Sequence, residues 1–318
     1  MKIEVQTVEE FNDAELPDLP SFVGDGLVVP EGRVILYADP GTYKSFAMMQ
    51  FCYALAKGRD WLGYKVHRPL KTMYLQTELI DEQIQKRSRA MTEWYGETGV
   101  MLGNIRDFGL RTTEDWEALH DVVEEHEVEY VVLDPLAAIM AGSEVDELAV
   151  KNLTDGLDHL CKSKHTGVAL VHHGRKKGHN QQGAIVSSGQ MDLRGHSRLT
   201  AWPDTIMYLE KDNKGKIELQ MQKIRNGPPE VGRWLRFDTD YGILRETEED
   251  PFLVISNFLS GGPMRNQACI EHMQTELGWV SKTFQRHRDK WVEAGKLIRY
   301  RDPINRSYWL LELKEEKK

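Results

Sequence analysis

The chain has 318 residues, 40% of them apolar and 29% charged, with 41 Lys and Arg against 50 Asp and Glu for a formal charge of −9. This describes a soluble globular protein large enough for roughly two domains. Cys52, Cys161 and Cys269 lie far apart without metal spacing, no apolar run approaches membrane-spanning length, and residues 1–15 are acidic without a signal-peptide pattern; a reducing cytosol is expected, with neither membrane nor export.

Residues 1–20 read as an N-terminal arm. Beyond them the apolar run Val34-Ile35-Leu36-Tyr37 is followed by Ala38-Asp39-Pro40-Gly41-Thr42-Tyr43-Lys44-Ser45 and then by the helix-forming Phe46-Ala47-Met48-Met49-Gln50. Strand, turn, Lys-Ser and helix make a phosphate-binding loop, with Ala38 and Tyr43 where the standard pattern carries glycine. Such a turn aims backbone N–H groups from Asp39 to Ser45 at phosphates and adds the positive end of the helix dipole. Lys44 is expected to reach the terminal phosphates and Ser45 to offer its hydroxyl to Mg²⁺. A tyrosine at position 43 is expected to keep a negative φ, with its ring turned away from the phosphates.

Thr72-Met73-Tyr74-Leu75-Gln76 reads as a buried strand leading into Thr77-Glu78, with an amphipathic helix from about Asp81. Glu78 then stands at the same strand edge, where a carboxylate can accept a proton from water attacking a γ-phosphate. The run 128–133 ends in Asp134, the form of a Walker B aspartate that holds the Mg²⁺ shell opposite Ser45. Val168-Ala169-Leu170-Val171 ends in His172-His173. Neighbours on a strand point to opposite faces, and no Cys, Asp or Glu lies at ligand spacing, so this pair is not read as a metal site.

The ordered set of phosphate loop, Thr77-Glu78, Asp134-Pro135-Leu136, the strand ending in His172-His173, then Arg175-Lys176 and Leu193-Arg194-Gly195 resembles the RecA-like ATPases of the RepA-type hexameric helicases. The resemblance covers roughly residues 20–245. It implies an α/β fold: a RecA-like parallel-sheet P-loop ATPase core, with ATP and Mg²⁺ as cofactors, Glu78 as catalytic base and His173 as a polar sensor of the γ-phosphate. Phage and plasmid members of this group often carry tyrosine before the lysine, which makes Tyr43 a subgroup trait.

The polar, glycine-rich stretch 174–195 contains Arg175, Lys176, Lys177 and Arg194 with almost no apolar periodicity, and reads as a mobile loop. In RecA-like motors the corresponding loop lines the channel that follows single-stranded DNA, so these cations are expected on nucleic-acid phosphates. Residues 216–225 alternate apolar and polar and break at Asn226-Gly227-Pro228-Pro229, a strand and a turn. Lys223 and Arg225 lie on one face of it. They match the Lys-x-Arg pair that, in RecA-like hexamers, reaches the neighbour's γ-phosphate. The plasmid helicases carry an arginine finger one strand earlier, where Asp204-Thr205-Ile206-Met207 has none.

The charged run 246–250 reads as a linker closing an ATPase domain of residues 21–245. From 251 to 318 there are 12 Lys and Arg against 8 Asp and Glu, net +4, leaving 29 against 42, net −13, for residues 1–250. Helices are expected at 252–259, 265–277 and from Ser281, the last turning Phe284, Trp291 and Val292 inward and Lys282, Gln285 and Arg286 outward. A hairpin of 297–301 and 306–310 completes a small α+β unit that looks like a winged helix-turn-helix. Lys282 and Arg286 are then candidate DNA contacts.

The leading expectation is an ATP-driven motor that translocates on single-stranded DNA, a hexameric replicative helicase of a phage or mobile element working in the bacterial host cytosol with other replication proteins. Two alternatives stay open: a RecA-like recombination mediator acting with an annealing or single-strand-binding protein, and a nucleotide-sensing DNA-binding regulator.

Overall fold

Apolar runs bounded by turn residues become the strands of one large sheet. The computed structural model describes residues 5–14, 21–106, 109–174, 178–179, 185–186, 195–211, 216–230, 232–247, 251–277 and 281–314. Helix α1 (Val8–Asp13) precedes β1 (Arg33–Ala38), α2 (Lys44–Lys57), β2 (Thr72–Gln76), α3 (Asp81–Tyr95), β3 (Met101–Asn104) and α4 (Thr113–Glu125). Next come β4 (Tyr130–Asp134), α5 (Leu136–Ile139), α6 (Glu147–Lys164), β5 (Gly167–His173), the two-residue strands β6 (Gly178–His179) and β7 (Ile185–Val186), and α7 (Arg198–Ala201). Strands β8 (Thr205–Lys211), β9 (Ile217–Ile224), β10 (Arg233–Asp238) and β11 (Ile243–Glu246) follow as an antiparallel meander.

The main sheet runs β11-β10-β9-β8-β1-β5-β4-β2-β3, parallel from β8 through to β3. Its inner parallel strands β1, β2, β4 and β5 are covered on both sides, which is why they read as near-continuous apolar runs. Successive residues of β1 serve two cores. Val34, Leu36 and Ala38 join the cluster built with α2 and the antiparallel strands, while Ile35 and Tyr37 join the cluster under α4 to α7. Helix α2 is apolar around most of its circumference, as its burial from Ala47 to Leu55 requires. It ends at Gly58, whose φ of +63° suits glycine.

Register brings the carboxyl ends level. Ala38 lies opposite His173 and Gln76 opposite Asp134. The Gly174 N–H donates to the Ala38 carbonyl at 3.0 Å, and the Thr77 N–H to the Asp134 carbonyl at 3.1 Å. One edge therefore carries the loop after β1, Glu78 after β2, Asp134 and His173. This is where ligands sit in open α/β sheets.

The C-terminal segment contains α8 (Pro251–Leu259), β12 (Met264–Arg265), α9 (Asn266–Leu277), α10 (Ser281–Glu293), β13 (Leu297–Arg301) and β14 (Trp309–Leu313). Its own core includes Ile255, Leu259, Met273, Phe284, Trp291 and Leu311. The second hairpin strand starts at Trp309 instead of 306, because the turn is longer than expected. Asp302 donates its N–H to the Tyr308 carbonyl, and its carboxylate accepts from Ile304 and Asn305. Met264 and Arg265 pair with β14, so α9 begins one residue later than expected.

Of the expected loop 174–195, residues 175–177, 180–184 and 187–194 lie outside the description. The short antiparallel pairing of β6 with β7 falls within a stretch read as structureless. Among the described residues no helix is long and apolar enough to cross a membrane.

Candidate nucleotide site

The loop from Asp39 to Tyr43 closes on itself through the Thr42 hydroxyl, which donates to the Asp39 carbonyl at 2.7 Å. Gly41 takes φ +79° with open space where a side chain would stand. Ala38 is the last residue of β1, so the glycine missing there is replaced within ordinary strand geometry.

Tyr43 departs from the sequence expectation. Its φ is +63° and ψ 18°, the left-handed region, where a negative φ was expected. The reason is the turn into α2, which needs that conformation at the position where the standard pattern supplies glycine. The tyrosine is held there by its ring. It stacks on Phe237 of β10 with centroids 4.1 Å apart and planes 13° apart, Phe46 packs edge-on at 6.3 Å, and the Lys211 ammonium lies 4.8 Å from the ring centre.

Lys44 is buried at the start of α2, with Ser45 next to it. Asp134 is also buried, and both Ser45 and Tyr74 hydrogen bond toward its carboxylate; the Tyr74 hydroxyl donates at 2.5 Å. Burial raises the Asp134 pKa, opposed by those two hydrogen bonds and the charge of Lys44. A desolvated carboxylate beside a serine hydroxyl and a lysine suits a hard divalent cation with oxygen ligands. The residues present thus fit Mg²⁺ and a phosphate.

Glu78 is exposed on the turn after β2, and its charge acts on both Asp134 and His173. Gln76 builds that turn. Its side-chain oxygen accepts from the Glu78 and Leu79 N–H groups at 3.1 and 2.7 Å, and its amide donates to the Leu79 carbonyl and to Asn104. His173 is half-buried; burial and then the charge of Lys44 lower its pKa, so its imidazole is neutral at pH 7. His172 points to the other face, fully buried, with Nδ1 3.7 Å from Glu144.

Lys44, Ser45, Glu78, Asp134 and His173 are thus brought to one edge. Lys223 and Arg225 are not. Both share one face of the β9 end, as expected, but they are engaged within their own chain. Lys223 donates to the carbonyls of Thr200, Ala201 and Pro203, and Arg225 pairs with Asp204 at 2.6 Å and donates to the Ala201 carbonyl. Asp204 is the hub of this group, also binding Arg33.

Arg286 does not take the outward orientation expected of it. Its guanidinium turns to the main sheet, 2.5 Å from Glu218 and 3.7 Å from Glu210. Glu218 is 2% exposed and also pairs with the buried His287 at 2.6 Å, so a desolvated carboxylate draws the cations of α10 inward. Lys282 lies on α10 with its side chain outside the description, as are Arg175, Lys176, Lys177 and Arg194.

Tyr74, Gln76 and Phe237 belong to this region and were not singled out from the sequence. For Gln76 a signal existed: a polar residue closing an apolar strand, here 2% exposed. Phe237 carried none, because its contact with the loop spans almost two hundred residues.

A strand-loop-helix cradle, a buried aspartate on the same sheet and a carboxylate at the same edge define a P-loop ATPase with a RecA-like sheet. The AAA domain family matches residues 2–179, more than half of the chain, and the protein belongs to that family. Its fold is similar to a DnaB-like replicative helicase, whose structure was described with its interactions with primase, at a TM-score of 0.53 and 15% identity. That match covers 69% of this chain and spans only 58% of the DnaB-like helicase. The ATPase domain of G40P is similar at a TM-score of 0.53 and 14% identity, over 76% of this chain and 95% of that domain. No curated protein sequence matches.

Proposed function

We propose that this protein is an ATP-hydrolysing motor that moves on single-stranded DNA, working as a ring-shaped oligomer of the replicative helicase type from a phage or mobile element. The observation that carries the reading is the convergence of Lys44, Ser45, Glu78, Asp134 and His173 on one sheet edge. Ser45 and Asp134 would hold Mg²⁺, which supplies charge neutralisation at the phosphates. Lys44 and the loop N–H groups bind and orient the triphosphate. Glu78, exposed beside them, takes the proton from the attacking water, and neutral His173 reports on the terminal phosphate as a hydrogen-bond partner.

Lys223 and Arg225 are the proposed contacts to a neighbouring subunit's nucleotide, with Asp204 bracing Arg225 in the meantime. The stretch holding Arg175, Lys176, Lys177 and Arg194 is the proposed track for DNA phosphates, and residues 251–318 are proposed to be a winged helix. Single-stranded DNA is expected to stimulate ATP turnover, with unwinding of a forked duplex. Stimulation without unwinding contradicts the helicase reading and favours a recombination mediator.

A further inference from the structure

Residues 251–318 carry net +4 against −13 for the rest of the chain, yet α10 is not where that charge is offered, since Arg286 and His287 are drawn to Glu218 of the main sheet. The cations left over stand on the small sheet β12-β14-β13. Arg265 pairs opposite Leu310 and Arg301 opposite Trp309, so arginines flank both edges of β14 at successive levels. Asp289 lies 3.8 Å from Arg299, and among the described residues no carboxylate comes within ion-pair distance of Arg265, Arg301 or Arg306.

The hairpin turn is built to hold its tip outward. Asp302 spends its carboxylate on the N–H groups of Ile304 and Asn305, the Asn305 side chain accepts from the Ser307 N–H at 3.1 Å, and Arg301 donates to the carbonyls of Arg306 and Ser307. The closed turn presents Arg306, exposed, and Ile304, 95% exposed. A narrow tip that carries an arginine beside an apolar side chain suits the minor groove of DNA, where arginine meets concentrated negative potential and an apolar group can wedge at a base step.

The aromatic residues decide which form of DNA fits. The Trp309 ring carries the guanidinia of Arg299 and Arg301 at 4.3 and 4.1 Å from its centre, and the Tyr308 ring carries that of Arg265 at 4.2 Å. Unpaired bases bind by stacking on open aromatic faces, and here cations already lie on those rings. A stacked guanidinium keeps its N–H edge for phosphate oxygens. Duplex DNA, with its bases paired inside and its phosphates outside, matches this surface better than a single strand does.

We propose that the hairpin of β13 and β14, together with Arg265, is a binding surface for duplex DNA, with Arg265 and Arg306 on backbone phosphates and the turn 302–308 in the minor groove. It is a second nucleic-acid site, apart from the stretch proposed as the single-strand track, and it does not depend on the nucleotide reading of the loop.

The test is fluorescence anisotropy of the full chain, with a non-hydrolysable ATP analogue present, on a labelled DNA duplex, a single strand of the same length and an RNA duplex of the same sequence, across a salt series. The wild-type protein is expected to bind the DNA duplex more tightly than the RNA duplex, whose minor groove is wide and shallow. The double variant Arg265→Gln/Arg306→Gln, changed at two exposed positions, is expected to weaken the DNA duplex about tenfold and to lower the slope of log affinity against log salt by about 2, with single-strand affinity changed less than about twofold. Arg306→Lys keeps the charge and should keep the slope. A second readout needs no variant: phenylglyoxal labelling of Arg306 in the wild-type protein, followed by peptide mass, should be blocked by the DNA duplex and not by the single strand. Equal loss of duplex and single strand in the double variant, no loss of either, equal binding of the DNA and RNA duplexes by the wild type, or labelling that ignores the duplex overturns the proposal.

Discussion

Tyr43 shows how a residue that breaks a motif can keep its geometry. A non-glycine residue in the left-handed region costs about 1–2 kcal/mol, and an aromatic pair returns about 0.5–1.5 kcal/mol beyond its buried area. The two magnitudes are comparable, so the stack on Phe237 is what makes tyrosine tolerable in the loop. Phe237→Ala should therefore weaken both stability and nucleotide binding, while Tyr43→Gly should be close to neutral, within about 1 kcal/mol. In the double variant the Phe237 loss should shrink, because the strain it offsets is gone; thermal melts of the four proteins check this.

Asp134 makes a second prediction at the same scale. Burial raises its pKa on folding from the ordinary carboxylate value of 3.8, so the native chain holds the proton more tightly than the unfolded chain. Stability therefore falls as pH rises from about that value through the folded one. Asp134→Asn should raise the melting temperature of the nucleotide-free protein at pH 7, by about 2–4 °C for each kcal/mol relieved, and abolish stabilisation by Mg²⁺ with nucleotide.

At the scale of elements, the parallel strands were legible because burial on both faces writes them as apolar runs. The segments 72–76, 168–171 and 297–301 were read in place, and the turn residues around them set their ends. The edge strand β3 and the next-to-edge strand β10 were missed. Met101–Asn104 has no fully buried residue and Arg233–Asp238 has only Leu235, so neither alternation nor a continuous run marks them. Lys44, Ser45, Glu78 and Asp134 were legible as a site since each follows a readable strand. Their supports were not, because the Tyr74–Asp134 bond and the Phe237 stack depend on pairings between distant segments. Arg286 failed for the same reason: helical periodicity gives a face, and only the fold places Glu218 opposite it.

At the scale of the whole molecule, β9 joins the two regions. It carries Glu218, bound to α10, and leads at its other end to Lys223 and Arg225. Burial pushes the Glu218 pKa up, but His287, Arg286 and Lys290 beside it outweigh that and hold it below the ordinary carboxylate value of 4.5. Its contribution is therefore present above that value and lost as pH falls through the folded one. Glu218→Ala leaves the half-buried Arg286 and the buried His287 without their carboxylate, at a cost of about 3–5 kcal/mol. Calorimetry should show the C-terminal segment melting earlier, separated from the ATPase sheet.

The central claim is that one sheet edge binds ATP through Lys44 and hydrolyses it through Glu78. Single-turnover hydrolysis by Glu78→Gln, measured beside its ATP affinity, tests that most directly. The account predicts affinity near wild type with hydrolysis slowed about 100-fold or more, the scale of a lost general base. Hydrolysis at the wild-type rate in a protein that still binds ATP would contradict it.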